Sequence, residues 1–180
     1  MLIATVAVLV ITGLIWKGRE ASAPQPFVIE MVQDERVAAW NFKGAYTGNA
    51  TLETRANAEI MRLTRLLGSK QYPDYTLYVS IANQYSLLGD GAHELAYLQK
   101  ALAINSATTG LAWHNAGQLF ARLGAYQTAR MALEKAATAQ PITQYQRAIV
   151  DFLLAHFPAD TAAIKNVQQA MQDSLGEASR

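Results

Sequence analysis

The sequence predicts an all-α chain: a short solenoid of antiparallel helix pairs with capping helices, preceded by one N-terminal apolar helix. Three observations predict it. Two stretches superpose at an offset of 35 residues, with Tyr78, Ile81, Ala82, Tyr85, Leu88 and Gly89 falling on Trp113, Ala116, Gly117, Phe120, Leu123 and Gly124, and Leu98, Lys100 and Ala101 on Leu133, Lys135 and Ala136. Self-similarity at such a period marks stacked supersecondary units. Within each unit, apolar and small residues recur every three or four positions, one face of a helix. At the N-terminus, Leu2 to Trp16 carries no charged side chain and no polar periodicity.

Residues 1–20 read as a membrane anchor or signal-like segment. The run is rich in Ile, Leu and Val, and Lys17, Gly18, Arg19 and Glu20 close it. As a helix it would be about 23 Å long, short of the ~30 Å hydrocarbon core. Snorkelling by Lys17 and Arg19, with Trp16 at the headgroup level, narrows the mismatch. A single-pass anchor is the preferred reading. A cleaved secretory signal is its rival, because Ala21-Ser22-Ala23 has the small-x-small pattern of a cleavage site. Against it stand a start without Lys or Arg, Pro24 directly after the cut, and two cations between the run and the site. A buried core helix is the third reading. Lys17 and Arg19 would hold the repeats in the cytoplasm, whereas signal-like placement points the other way; the expectation adopted is an exocytoplasmic repeat domain. The lack of cysteine excludes structural disulfides and fits either side.

Residues 21–48 form a linker and an aromatic-rich lead-in. Ala-Pro-Gln-Pro, ending at Pro26, is a semi-rigid spacer. The Phe27 to Val32 run reads equally as a strand or a helix start. Trp40, Phe42 and Tyr46 are expected to pack on the first helix pair, with a ligand-facing aromatic ledge as the alternative.

Helical signals then continue over residues 49–177. Leu52, Ala56, Ile60, Leu63 and Leu67 make a stripe begun by Gly48-Asn49 and ended by Gly68. The repeats occupy about 75–109 and 110–143. In the second, Trp113, Ala116, Gly117 and Phe120 share one face, Gly124 stops the helix, Ala129, Leu133 and Ala136 line the next, and Pro141 ends it. Gly117 and Ala136 let two backbones approach, and the larger residues fill the space beside them.

These positions resemble the tetratricopeptide repeat family. Trp113, Gly117, Phe120, Gly124, Ala129, Leu133, Ala136 and Pro141 match its signature. The first copy departs from it with Tyr78 for Trp, Ala82 for Gly, Glu94 for a small Ala and Ser106 for Pro. The resemblance implies a right-handed solenoid whose first helices line a concave groove that takes a peptide or partner segment. Carried onto this chain, that groove comprises Thr76, Val79, Asn83, Ser86 and Leu87, then Leu111, His114, Asn115, Gln118, Ala121 and Arg122. Asn83, Asn115 and Gln118 suit a peptide backbone and Arg122 a carboxylate. The lysine-rich clamp used by some members for C-terminal carboxylates is missing.

After the repeats, Thr143 and Gln146 have capping-box spacing, leading into Ile149, Phe152 and Leu153. Beyond Pro158, Asp160 caps a last helix carrying Ile164, Val167 and Met171. About six helices should meet the minimum of three stacked pairs.

Chemistry is sparse. Charge is balanced at 15 basic against 14 acidic residues, with the signs interspersed, so nucleic acid is not an expected partner. His93-Glu94 opens like a zincin helix, but Tyr97 stands where the second histidine belongs. Gly89-Asp90-Gly91 is a turn before it is a phosphate loop, since Glu94 replaces the third glycine. Asn49-Ala50-Thr51 matches a glycosylation sequon that serves equally as a helix cap. Neither an enzyme, a metal nor a cofactor is expected. The reading is a membrane-anchored interaction module for a protein or peptide partner; the alternative is a structural subunit of a membrane or envelope assembly.

Overall fold

The computed structural model describes residues 26–178. The proposed anchor Leu2 to Trp16, the cleavage-like Ala21-Ser22-Ala23 and Pro24 lie outside the described residues. Seven helices follow in chain order: α1 (Ala50–Leu66), α2 (Asp74–Leu88), α3 (Gly91–Ile104), α4 (Gly110–Arg122), α5 (Tyr126–Ala139), α6 (Thr143–His156) and α7 (Thr161–Ala178). The fold is all-α, each helix packs on its successor, and α2 also touches α4. About six helices were expected and the described residues form seven; the expected Leu52–Leu67 stripe is α1, which packs chiefly on α2.

Local signals place most boundaries. The Asn49 side chain accepts from the Leu52 N–H at 3.2 Å to start α1, and Asp160 accepts from the Ala163 N–H at 3.1 Å to start α7. Gly89 (φ 81°) and Gly124 (φ 79°) take the left-handed conformation that ends α2 and α4. At α6 the outcome differs from the expected capping box. Ile142 occupies the cap, Thr143 is already helical, and no side chain caps the end. Gln146 is buried and donates to the Ala170 carbonyl of α7 at 3.5 Å.

The main core joins α2 through α7 around Phe120, Leu98, Leu102, Ile149 and Leu153, while Ile60 and Leu63 of α1 meet Leu77 and Ile81 of α2 in a smaller cluster. Two helix ends that lack local caps are completed from a distance. The free N–H groups at the start of α4 are taken by Tyr75 Oη, from Ala112 at 3.2 Å, and by Gln140 Oε1, from Gly110 at 3.2 Å. The start of α5 has Ala125 at its cap. There the Glu35 carboxylate accepts from the Gln127 and Thr128 N–H groups, both at 2.7 Å, and from Thr128 Oγ1 at 2.6 Å.

Glu35 belongs to a strap, residues 27–47, that has no helix or ladder of its own. Its apolar side chains supply the reason it stays docked. Phe27 sets its edge on Trp113 at 5.5 Å, Ile29 is a core residue, and the Ile29 and Val32 N–H groups donate to Gln99 Oε1 (3.2 Å) and Thr128 Oγ1 (3.0 Å). Further on, the strap closes over the α2–α3 turn: Phe42 N–H to Gly89 O, Gly91 N–H to Trp40 O, and Tyr46 N–H to Leu87 O. At Gly89 a Cβ would collide with the Phe42 carbonyl, so that turn needs glycine for space as well as for φ. The aromatic lead-in therefore packs against the first hairpin.

Replacing Glu35 tests the strap's hold. Burial raises the Glu35 pKa, but the bonds from Thr128 and from the Gln127 and Thr128 backbone outweigh it, leaving the carboxyl below its ordinary value. Glu35→Ala should cost about 1 kcal/mol of unfolding free energy at pH 7, as loss of a helix cap does. Because the folded-state pKa is depressed, the wild-type advantage is present above the ordinary carboxylate range and lost as pH falls through the folded value. Denaturant titrations of both proteins at neutral and acid pH measure it.

Candidate functional site

The residues expected to form a groove fall on α2 and α4, adjacent helices that the chain brings into contact. They divide by environment. Thr76, Asn83, Leu111, Gln118 and Arg122 are exposed; Ser86, Leu87, Asn115 and Ala121 are half-buried; Val79 and His114 are buried. Val79 faces the core rather than solvent: it is buried and belongs to the main cluster with Leu98 of α3 and Ala116 of α4.

Asn83 and Asn115 come together across the two helices, with Asn115 Nδ2 donating to Asn83 Oδ1 at 2.9 Å. One turn further along α4, Gln118 Nε2 lies 2.9 Å from His114 Nε2. An amide nitrogen only donates, so His114 Nε2 accepts and Nδ1 carries the ring hydrogen. That Nδ1 is buried without a hydrogen-bond partner. Burial also lowers the His114 pKa, holding the ring neutral, and the ring packs on Tyr145 of α6 at 5.1 Å.

Arg122 is already engaged. Its Nη2 donates to Glu94 Oε1 at 2.8 Å, joining α4 to the first turn of α3, and its guanidinium lies 4.7 Å over the Phe42 ring of the strap. Glu94 is 2% exposed. Desolvation pushes its pKa up to about 7, against the opposing charge of Arg122 and hydrogen bonds from Ser86 and Arg122. One of the expected contact residues, Arg122, thus serves an internal carboxylate whose Oε2 is buried without a hydrogen-bond partner. Leu87 is likewise occupied through its carbonyl, which accepts from Tyr46.

Glu94, Phe42, Tyr75 and Tyr145 were not among the residues singled out for the site. Two of them carried a signal: Phe42 as part of the aromatic lead-in, and Glu94 as an acidic residue at the position where the repeat signature has a small one. The zincin-like His93 sits 2.6 Å from Asp90 Oδ2 and stacks on Tyr85 at 4.8 Å. Among the described residues no group of three or more His, Asp and Glu could hold a metal ion, and no helix is long and apolar enough to cross a membrane. Comparison of the chain with protein-family models, with curated proteins and with solved structures gave no match.

The buried ion pair makes a pH-dependent prediction. Glu94 has a folded pKa of about 7 against an ordinary 4.5, so the fold binds its proton more tightly than the unfolded chain does. Its contribution is most favourable below 4.5 and declines until pH passes about 7. Glu94→Gln should therefore gain on wild type as pH rises through this window. Arg122→Met leaves the carboxylate without its counter-charge and should cost on the order of 1–3 kcal/mol at pH 8, and less at pH 5. Unfolding curves at the two pH values check both.

Proposed function

We propose that this chain is a membrane-anchored protein–protein interaction module of the tetratricopeptide type, with α2 and α4 presenting a face to an extended peptide or a segment of a partner subunit. The sequential packing of helix pairs and the contact between α2 and α4 support a solenoid. The observation that carries the functional reading is the Asn83–Asn115 amide bridge with Gln118 beside it. Each amide keeps hydrogen-bonding capacity beyond the bond it makes. Polar, uncharged side chains at helical spacing suit the N–H and C=O groups of a backbone, and with Arg122 held by Glu94 a C-terminal carboxylate is not the preferred ligand. The anchor Leu2 to Trp16 would supply local concentration at the membrane, with the helical domain on the exocytoplasmic side. Nothing in the chemistry of this face calls for catalysis, a cofactor or nucleic acid.

The competing reading, a structural subunit of a membrane or envelope assembly, draws on a different surface: Tyr126, Ile142 and Leu154 are exposed apolar side chains around α5 and α6. The double variant Asn83→Ala/Gln118→Ala should abolish crosslinked partner capture from membranes while its melting temperature stays within a few degrees of wild type. Capture that survives it, yet is lost in Leu154→Asp, assigns the partner to the α5–α6 surface and the structural-subunit reading.

A further inference from the structure

Pro26 lies beside an apolar hollow of about 580 Å³ between the strap, α2 and α3, lined among others by Phe27, Val28, Tyr78, Ala103 and Ile104. A second hollow adjoins it through Asp74 and Ile104, with Lys70, Tyr72 and Pro73 on its walls. Around this point three large apolar side chains stand in solvent: Val28 is 62% exposed, Ile104 53% and Tyr72 49%. Lys70 and Lys100 flank them. Lys100 Nζ lies 4.3 Å over the Tyr97 ring, and the acid of the group, Asp74, has Oδ1 committed to the Gly68 N–H at 2.8 Å.

Tether length restricts what this surface meets. Between Trp16 and Pro26 stand nine residues, Lys17 to Gln25, which even fully extended span roughly 30 Å. If Leu2 to Trp16 is embedded, Pro26 stays within roughly 30 Å of the bilayer, so the surface around it can reach the headgroups. Aliphatic side chains, a tyrosine and lysines in one patch are the composition that favours the boundary between acyl chains and headgroups. Lysines there keep their ammonium groups at the headgroups while their stems lie on apolar surface.

We propose that the surface formed by Val28, Tyr72 and Ile104, with Lys70 and Lys100, rests on the lipid headgroup layer, so that the domain is held against the membrane by its own side chains as well as by the anchor. This rests on the anchor reading of Leu2 to Trp16. It fixes which side of the helical domain faces lipid and which remains open to a partner.

The absence of cysteine makes the test direct. Single variants Val28→Cys, Tyr72→Cys and Ile104→Cys of the full chain, with Gln172→Cys on α7 as the distant control, are labelled with a polarity-sensitive fluorophore. They are reconstituted in phosphatidylcholine vesicles containing phosphatidylserine and headgroup nitroxide quencher. Emission at 28, 72 and 104 should shift to the blue and be quenched more strongly than at 172, and Lys70→Gln/Lys100→Gln should weaken that difference. Protein that floats with the vesicles while all four sites are quenched alike overturns the surface and leaves the anchor standing. Protein that does not float overturns the anchor, and this surface with it. A blue shift that persists in lipid-free detergent and grows with protein concentration shows a second copy on the patch, which also overturns the proposal.

Discussion

At Gly117 the Leu133 side chain fills the space that a Cβ on α4 would need, with the Ala129 carbonyl just behind it. That single missing methyl lets α4 and α5 pack closely enough for Trp113, Ala116 and Phe120 to be buried on one side and Ala129, Ala132 and Ala136 on the other. Interiors are packed at crystal-like density, so the spacing is not adjustable by relaxation elsewhere. Because α4 also meets α3 and α2, its position sets the geometry of everything at the candidate face. The same helix carries His114, Asn115, Gln118 and Arg122. Their reach to Tyr145, Asn83 and Glu94 depends on where the α4–α5 contact holds the axis.

A close pair of helices leaves its polar ends to be satisfied, and the chain does this over long sequence distances. Tyr75 and Gln140 complete α4, and Glu35 completes α5. Each bond links a helix terminus to a different segment, so a cap here also fixes tertiary placement. The strap is the extreme case. It has no regular structure in which to satisfy its own N–H groups, and it finds acceptors at Gln99, Thr128, Gly89 and Leu87. Buried backbone groups have to be paired, and that requirement, together with Phe27 and Ile29 in the core, accounts for an irregular segment with a defined path.

What the sequence made legible follows from range. Helix periodicity and local stops, such as Asn49, Gly89, Gly124 and Asp160, act within a few residues and were readable. Thr143 misled because a capping box is a local pattern, while Gln146 answers to α7, a helix that comes later in the chain. Glu35 gave no local signal at all, since its partners lie more than ninety residues away. At the candidate face, the 35-residue offset put Asn83 and Asn115 on equivalent helices but equated Asn83 with Gln118 and Asn115 with Ser80, so the helices were legible and the bridge across them, 32 residues apart, was not. The fate of Arg122 was hidden for a related reason: Glu94 departs from the repeat, and a departure has no counterpart in the other copy from which to infer its partner.

That departure decides the character of the face. Had a small residue stood at 94, Arg122 would project an unpaired cation beside Gln118 and favour an acidic ligand. With Glu94 buried beneath it, the guanidinium closes an internal pair and lies over Phe42. Where Glu94 is ionised, its charge offsets that of Arg122 at the meeting of α3, α4 and the strap. Buried ion pairs are poor sources of net stability because desolvation consumes most of their attraction, and the Glu94 pKa near 7 shows that cost directly. The effect of the pair is on what remains outside: a neutral stretch of amides on α2 and α4, with the strap locked to the same carboxylate through Arg122. The polar face of α2 and α4 and the docking of the strap are therefore joined at one ion pair, and a change in either charge would be felt at both.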